Sequence, residues 1–345
     1  MLTAEHAPFF VVGCPRSGTT LLQVLLDAHP RIAIPTEGHL FSRFGRIFGR
    51  YGDLRQERNL RLFVSDVLHD QRIGLWKLDV SVPEFLRGLT TPSIRGVFER
   101  VYELYARREG KARWGDKSPV HALHIRDIKQ VFPEAKFIHL VRDGRDVAES
   151  TRRMPVGPKS MIGIARRWRR YVLAFREAKA WLPSGDALEV QYEQLVRDPA
   201  QEMARILAFL GESPMPLGHE VPETRMRRYL VQESFAKTLH QSLAGKISEG
   251  KIGVFLGALS PRDLELFEAV AGDVLTLYGY GLVTSGTARI RPHERVTGWL
   301  QDHVLRYQRK FFGRSATIRR QGWVELGRDL QWRTRTFIRS LRHTT

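Results

Sequence analysis

The sequence predicts an α/β fold: a mainly parallel central sheet flanked by helices in three layers, followed by a helical, basic C-terminal extension. Three observations carry this expectation. An apolar run, Phe9-Phe10-Val11-Val12, opens into the glycine-bearing turn Gly13-Cys14-Pro15-Arg16-Ser17-Gly18-Thr19-Thr20 and then a leucine-rich helical pattern. Further strand-like runs at 31–35, in the short stretch that ends at the polar cluster before Ser118-Pro119, at 136–141 and at 187–192 alternate with helical segments, the mark of a parallel sheet. Beyond residue 284 the composition turns basic and amphipathic, and residues 286–345 hold 14 arginines and lysines against four acids, +10 of the net +18.

The opening stretch has the layout of a P-loop-like turn, in which backbone N–H groups and a helix N-terminus face an anion. Gly13 and Gly18 stand at the spacing of G-x-x-x-x-G-K-[ST], but Thr19 occupies the lysine position. Arg16, inside the loop, offers a fixed cationic fork suited to phosphate or sulfate. The missing lysine argues against an ordinary ATPase.

The remaining elements follow in order. Leu21, Leu22, Leu25 and Leu26 mark the helix after the loop, which ends at His29-Pro30. The second strand, Arg31 to Pro35, presents Thr36, Glu37, Gly38 and His39 beyond its carboxyl end, where open α/β sheets bind ligands. Residues 40–110 read as mainly helical, covering the sheet on the acceptor side. Lys117, in Gly115-Asp116-Lys117-Ser118-Pro119, is expected at the start of the next helix, where the helix dipole repels it unless an anion compensates. Arg142 closes the strand Lys136–Val141, and Ser150 lies two helical turns on. Lys251 and Gly253 belong to a basic, glycine-punctuated loop, 246–253. Ser260-Pro261 opens a helix with apolar positions from Leu264 to Leu277, and the main domain is expected to span 1–284, the extension 285–345.

One cysteine, Cys14, excludes an internal disulfide framework, and no apolar run reaches the roughly 20 residues of a membrane span. The expectation is a cytoplasmic protein, with peripheral membrane or homo-oligomer contact through the basic tail left open and nucleic acid not favoured. No metal-ligand cluster is visible.

Together these residues resemble the sulfotransferases that use 3′-phosphoadenosine 5′-phosphosulfate (PAPS), over roughly residues 8–282. Pro15-Arg16-Ser17-Gly18-Thr19-Thr20 looks like the family's 5′-phosphosulfate loop, and Arg142 with Ser150 like its 3′-phosphate pair. Arg16 to Leu22, Leu26 to Pro30, Asp116 to Pro119 and Val141 to Arg145 are most similar to the tyrosylprotein sulfotransferase branch and its bacterial relatives. The resemblance implies Glu37 as catalytic base, with Lys117 and Arg16 as catalytic cations. It also implies Tyr192, Lys251 and Gly253 near the cofactor, no metal, and a hydroxyl-bearing acceptor. It departs at Met154 and His39, where the family carries arginines. Two other readings stand beside it: a variant P-loop nucleotide kinase or hydrolase, and an anionic-surface-binding protein driven by the tail.

Overall fold

The structure, a computed structural model, describes residues 7–154, 157–215 and 247–302. Lys246 of the predicted basic loop, most of the segment from Pro214 to Tyr229, and the tail beyond residue 302 lie outside these residues. The chain divides into two compact units: residues 1–143 with 170–253, and residues 144–169 with 254–345.

The first unit holds the expected parallel sheet. Its strands are β1 (Phe9–Gly13), β2 (Ile32–Ala33), β3 (Arg113–Lys117), β4 (Lys136–Val141) and β5 (Ala187–Gln191), in the order β2-β3-β1-β4-β5 with every pairing parallel. β1 is central and buried throughout, as a continuous apolar run requires when helices cover both faces. Phe9, Val11, Leu22, Leu25, Ile138 and Leu140 build one core face with Ile206 and Leu210. Phe10 leads the other, edge-on to Phe41 and Trp114 and stacked on Phe137 at 5.7 Å.

β2 is shorter than the expected run. Beyond it the carbonyls of Ile34 and Pro35 accept from Gln23 Nε2 at 3.3 and 2.8 Å, and Ile34 N donates to Asp27 Oδ1. Side chains of α1 (Thr19–Asp27) thus take the bonds that a ladder would have used. The region 40–110 is mainly helical as expected, in a series of helices from Leu40–Phe44 to Ile94–Arg108. Trp76, fully buried, donates from its indole to Thr36 O at 2.9 Å and so ties this region to the end of β2.

One local expectation needs correction. Lys117 does not start a helix: it is the last residue of β3, and only a 3₁₀ turn, Pro119–Leu123, follows. A single short turn has little dipole, so the repulsion argument does not apply there.

In the second unit Ser260 caps the helix Pro261–Leu277 by accepting from Asp263 N, as its sequence indicates. Glu268 of that helix, wholly buried, pairs with Arg145 Nη1 at 2.6 Å and accepts from the backbone of Val283 and Thr284. The extension begins as a helix at Pro292–Leu300. Among the described residues no helix is long and apolar enough to cross a membrane.

Candidate active site

The site is assembled at the carboxyl ends of the strands of the first unit. Gly13 ends β1 where a Cβ would come 2.5 Å from Leu140 O, so the chain can turn there only without a side chain. The loop closes on itself by Ser17 N donating to Cys14 O at 3.1 Å. Arg16 takes φ 81°, a left-handed conformation costly for a residue with a side chain. Gly18 takes φ 93°, caps α1 without a side-chain bond, and lies against Tyr192, whose ring would be 2.4 Å from an added Cβ. Ser17, Thr19 and Thr20 are buried, while Pro15 and Arg16 are half-buried.

On one side of the loop, Lys117 Nζ bridges to the end of β2. It donates to Glu37 Oε1 at 2.5 Å and lies 3.4 Å from Thr20 Oγ1. The lysine side chain is wholly buried and the glutamate 23% exposed, so the carboxylate is the solvent-facing member of the pair. Glu37 Oε2 lies 2.8 Å from His39 Nε2. Burial pushes the Glu37 carboxyl up, but the Lys117 ammonium and the His39 hydrogen bond outweigh it and hold it well below the usual carboxylate range. Burial lowers His39, against the pull of Glu37, so the ring is neutral near pH 7.

Beneath this chain lies a support that the sequence did not announce. Asp116, 1% exposed, receives Tyr102 OH at 2.8 Å and Ser118 Oγ at 3.2 Å on Oδ2, with His121 Nδ1 2.8 Å from Oδ1. Ser118 Oγ in turn accepts from His39 N, which helps hold His39 at φ 56°. Burial raises Asp116, but His121 and Tyr102 outweigh it and keep it ionised. Asp116 was visible in the motif with no role; Tyr102, buried on the helix Ile94–Arg108, belongs to the helical region that carries no catalytic signature. Arg72 Nη1 is 3.4 Å from Glu37 O, a second cation that the helical region brings near without a motif.

On the other side of the loop, Arg142 follows β4. Its guanidinium lies over the Tyr192 ring at 4.4 Å, donates from Nη1 to Arg16 O at 3.3 Å, and donates from Nη2 to Lys251 O. The structure therefore brings Gly18, Tyr192, Arg142, Arg16 and Lys251 together. Gly253 takes φ 68° two residues on. Ser150, half-buried, stands on the helix Gly144–Arg152 in the second unit, and Met154 lies two residues past the helix's end.

A buried anion loop, an adjacent lysine–carboxylate pair and a second cationic cluster at neighbouring strand ends define a group-transfer enzyme acting on an anionic donor. Residues 8–216 match the Sulfotransferase family, and the chain belongs to that family of enzymes. It is 28% identical over 218 residues to a putative protein-tyrosine sulfotransferase of Caenorhabditis briggsae, covering 61% of this chain and 67% of the relative. It is 29% identical over 327 residues to the nodulation protein NoeE of Sinorhizobium fredii, covering 84% and 73%. Among solved structures, the sulfotransferase domain from the curacin biosynthetic pathway overlays with a TM-score of 0.53 at 19% identity, over 80% of this chain and 99% of the domain. That overlay shows a shared fold.

Proposed function

We propose that the protein transfers a sulfuryl group from PAPS to an acceptor hydroxyl, with Glu37 as the base. The observation that carries this reading is the continuous contact Thr20–Lys117–Glu37–His39, which joins the anion loop to a carboxylate open to solvent. The loop suits such a donor: Ser17 Oγ is wholly buried without a hydrogen-bond partner among the described residues, beside Gly18, where the backbone alone faces the site. When bound, PAPS supplies an activated sulfuryl group on a nucleotide leaving group.

The residues of Pro15 to Thr20 would hold its 5′ end. Arg142, placed by Tyr192 and the Lys251 carbonyl, would hold the 3′-phosphate; the parts of Ser150 and Gly253 rest on the resemblance alone. Lys117 and Arg16 would place positive charge where negative charge grows in transfer. Glu37 Oε1 and Oε2 are proton-free at neutral pH, and His39 fixes the carboxylate's orientation from one side. The Glu37 carboxylate then accepts the proton of an acceptor hydroxyl oriented against it. Lys117 restrains this base while it holds the carboxylate; any anion that draws the ammonium toward Thr20 frees the carboxylate and strengthens it as a proton acceptor.

Glu37→Gln should lower kcat by about 10²-fold or more while affinity for 3′-phosphoadenosine 5′-phosphate, read by calorimetry, stays near wild type. Full turnover in this variant would remove Glu37 from the role. Peptide tyrosine, carbohydrate, lipid and small-molecule hydroxyls all fit the chemistry. His39, standing where the tyrosine-peptide branch carries arginine, gives no ground for choosing the peptide.

A further inference from the structure

The helix Pro292–Leu300 exposes a row of large apolar side chains: Val296 is 59%, Trp299 57% and Leu300 40% exposed. The spacing i, i+3, i+4 puts them on one face. The opposite face is fastened to its own unit by acids. Glu294 receives Arg262 Nε and Nη2, both at 2.7 Å, and Asp302 accepts from Lys159 N at 2.6 Å, Ser160 N at 2.8 Å and Ser160 Oγ at 2.6 Å. Gly298, midway between them, is buried, and a Cβ there would come 3.2 Å from Ser160 Cβ.

Both acids of residues 286–302 are thus spent on pairing within the unit. What the segment turns outward is the apolar row together with Arg289, Arg291 and Arg295, all exposed. The apolar spacing continues in sequence through Val304, Tyr307 and Phe311, and residues 303–345 add 11 arginines and lysines against two acids.

We propose that this face docks on an anionic lipid bilayer. An apolar row led by tryptophan gains by entering the boundary between headgroups and acyl chains, where an indole keeps its N–H wet. The flanking arginines match a negatively charged headgroup layer and lie within a Debye length of it. A soluble acidic partner would satisfy the arginines but leave the tryptophan row in water. A neutral bilayer would take the row and leave the charge unmatched.

The test is cosedimentation of the full chain with vesicles of phosphatidylcholine alone and of phosphatidylcholine mixed with phosphatidylglycerol. Binding to the mixed vesicles alone, weakening as salt is raised, is expected. Two full-length variants, Val296→Glu/Trp299→Glu and Arg289→Glu/Arg291→Glu/Arg295→Glu, should each weaken binding by about tenfold or more. Both should transfer sulfuryl groups to a water-soluble acceptor as wild type does, so failure here is separate from failure of the enzymatic reading. Absent or charge-independent vesicle binding overturns the proposal, as does a variant that binds unchanged. So does a change in oligomeric mass with lipid binding intact, which would assign the face to a second copy.

Discussion

Lys117 and Glu37 show how far single residues could be read in advance. Each was placed by its position in a motif, but their contact was not, because it crosses from β3 to the end of β2, 80 positions apart. The lysine was expected to face an anion; here it holds the Glu37 carboxylate. Glu37 contributes stability that is present above the unfolded glutamate pKa and is lost as pH falls through the depressed folded value. Lys117→Met removes its largest favourable partner while burial remains, so the folded Glu37 pKa should rise from its depressed value. The acid limb of kcat/KM for the residual activity should then move up by about one pH unit or more relative to wild type. A limb that stays in place would mean that another group titrates. His39 and Asp116 stood in the same motifs, but their mutual arrangement through Ser118 depends on a left-handed residue that no pattern announces.

At the level of elements, the strands and the loop were legible because apolar runs and glycine spacing act locally. β2 was over-read: the bonds from Gln23 that end its pairing come from the preceding helix, outside any strand signal. Gly18 belongs to this scale, since it is fixed both by its left-handed φ of 93° and by the Tyr192 ring. Gly18→Ala should cost about 1–3 kcal/mol of stability, read as a lower denaturation midpoint. It should also weaken binding of 3′-phosphoadenosine 5′-phosphate by displacing the ring that supports Arg142. Pairing it with Tyr192→Ala should give less than the sum of the two single losses, because the clash and the support share one side chain. Additive losses would show that the contact carries no coupling.

At the scale of the whole molecule, the division into two units was not legible: residues 144–169 are contiguous with the sheet in sequence and compact with the C-terminal helices in space. The device that organises the second unit is a buried ion pair, invisible to periodicity because Arg145 and Glu268 are 123 positions apart. Their side chains are 3% and 0% exposed. Glu268→Ala removes a buried carboxylate from beside Arg145 and strips acceptors from Val283 and Thr284, so a loss of about 3–5 kcal/mol is expected. Urea unfolding would measure it; a midpoint unchanged from wild type would show that the pair is dispensable. The basic tail was plain in composition, whereas the inward use of Glu294 and Asp302, which sets what its first helix turns outward, required the structure.

The parallel sheet also works as a ruler. Read across its order, each strand carries one candidate site residue or loop at its carboxyl end: Glu37 after β2, Lys117 at β3, the loop after β1, Arg142 after β4 and Tyr192 after β5. With neighbouring strands about 4.8 Å apart, the row spans about 19 Å from first to last. On the proposed function, a donor and acceptor that engage both ends would lie extended along the sheet edge, acceptor toward β2 and nucleotide toward β5. On that reading, acceptor preference would be set through the helices between β2 and β3, apart from the donor's half of the row.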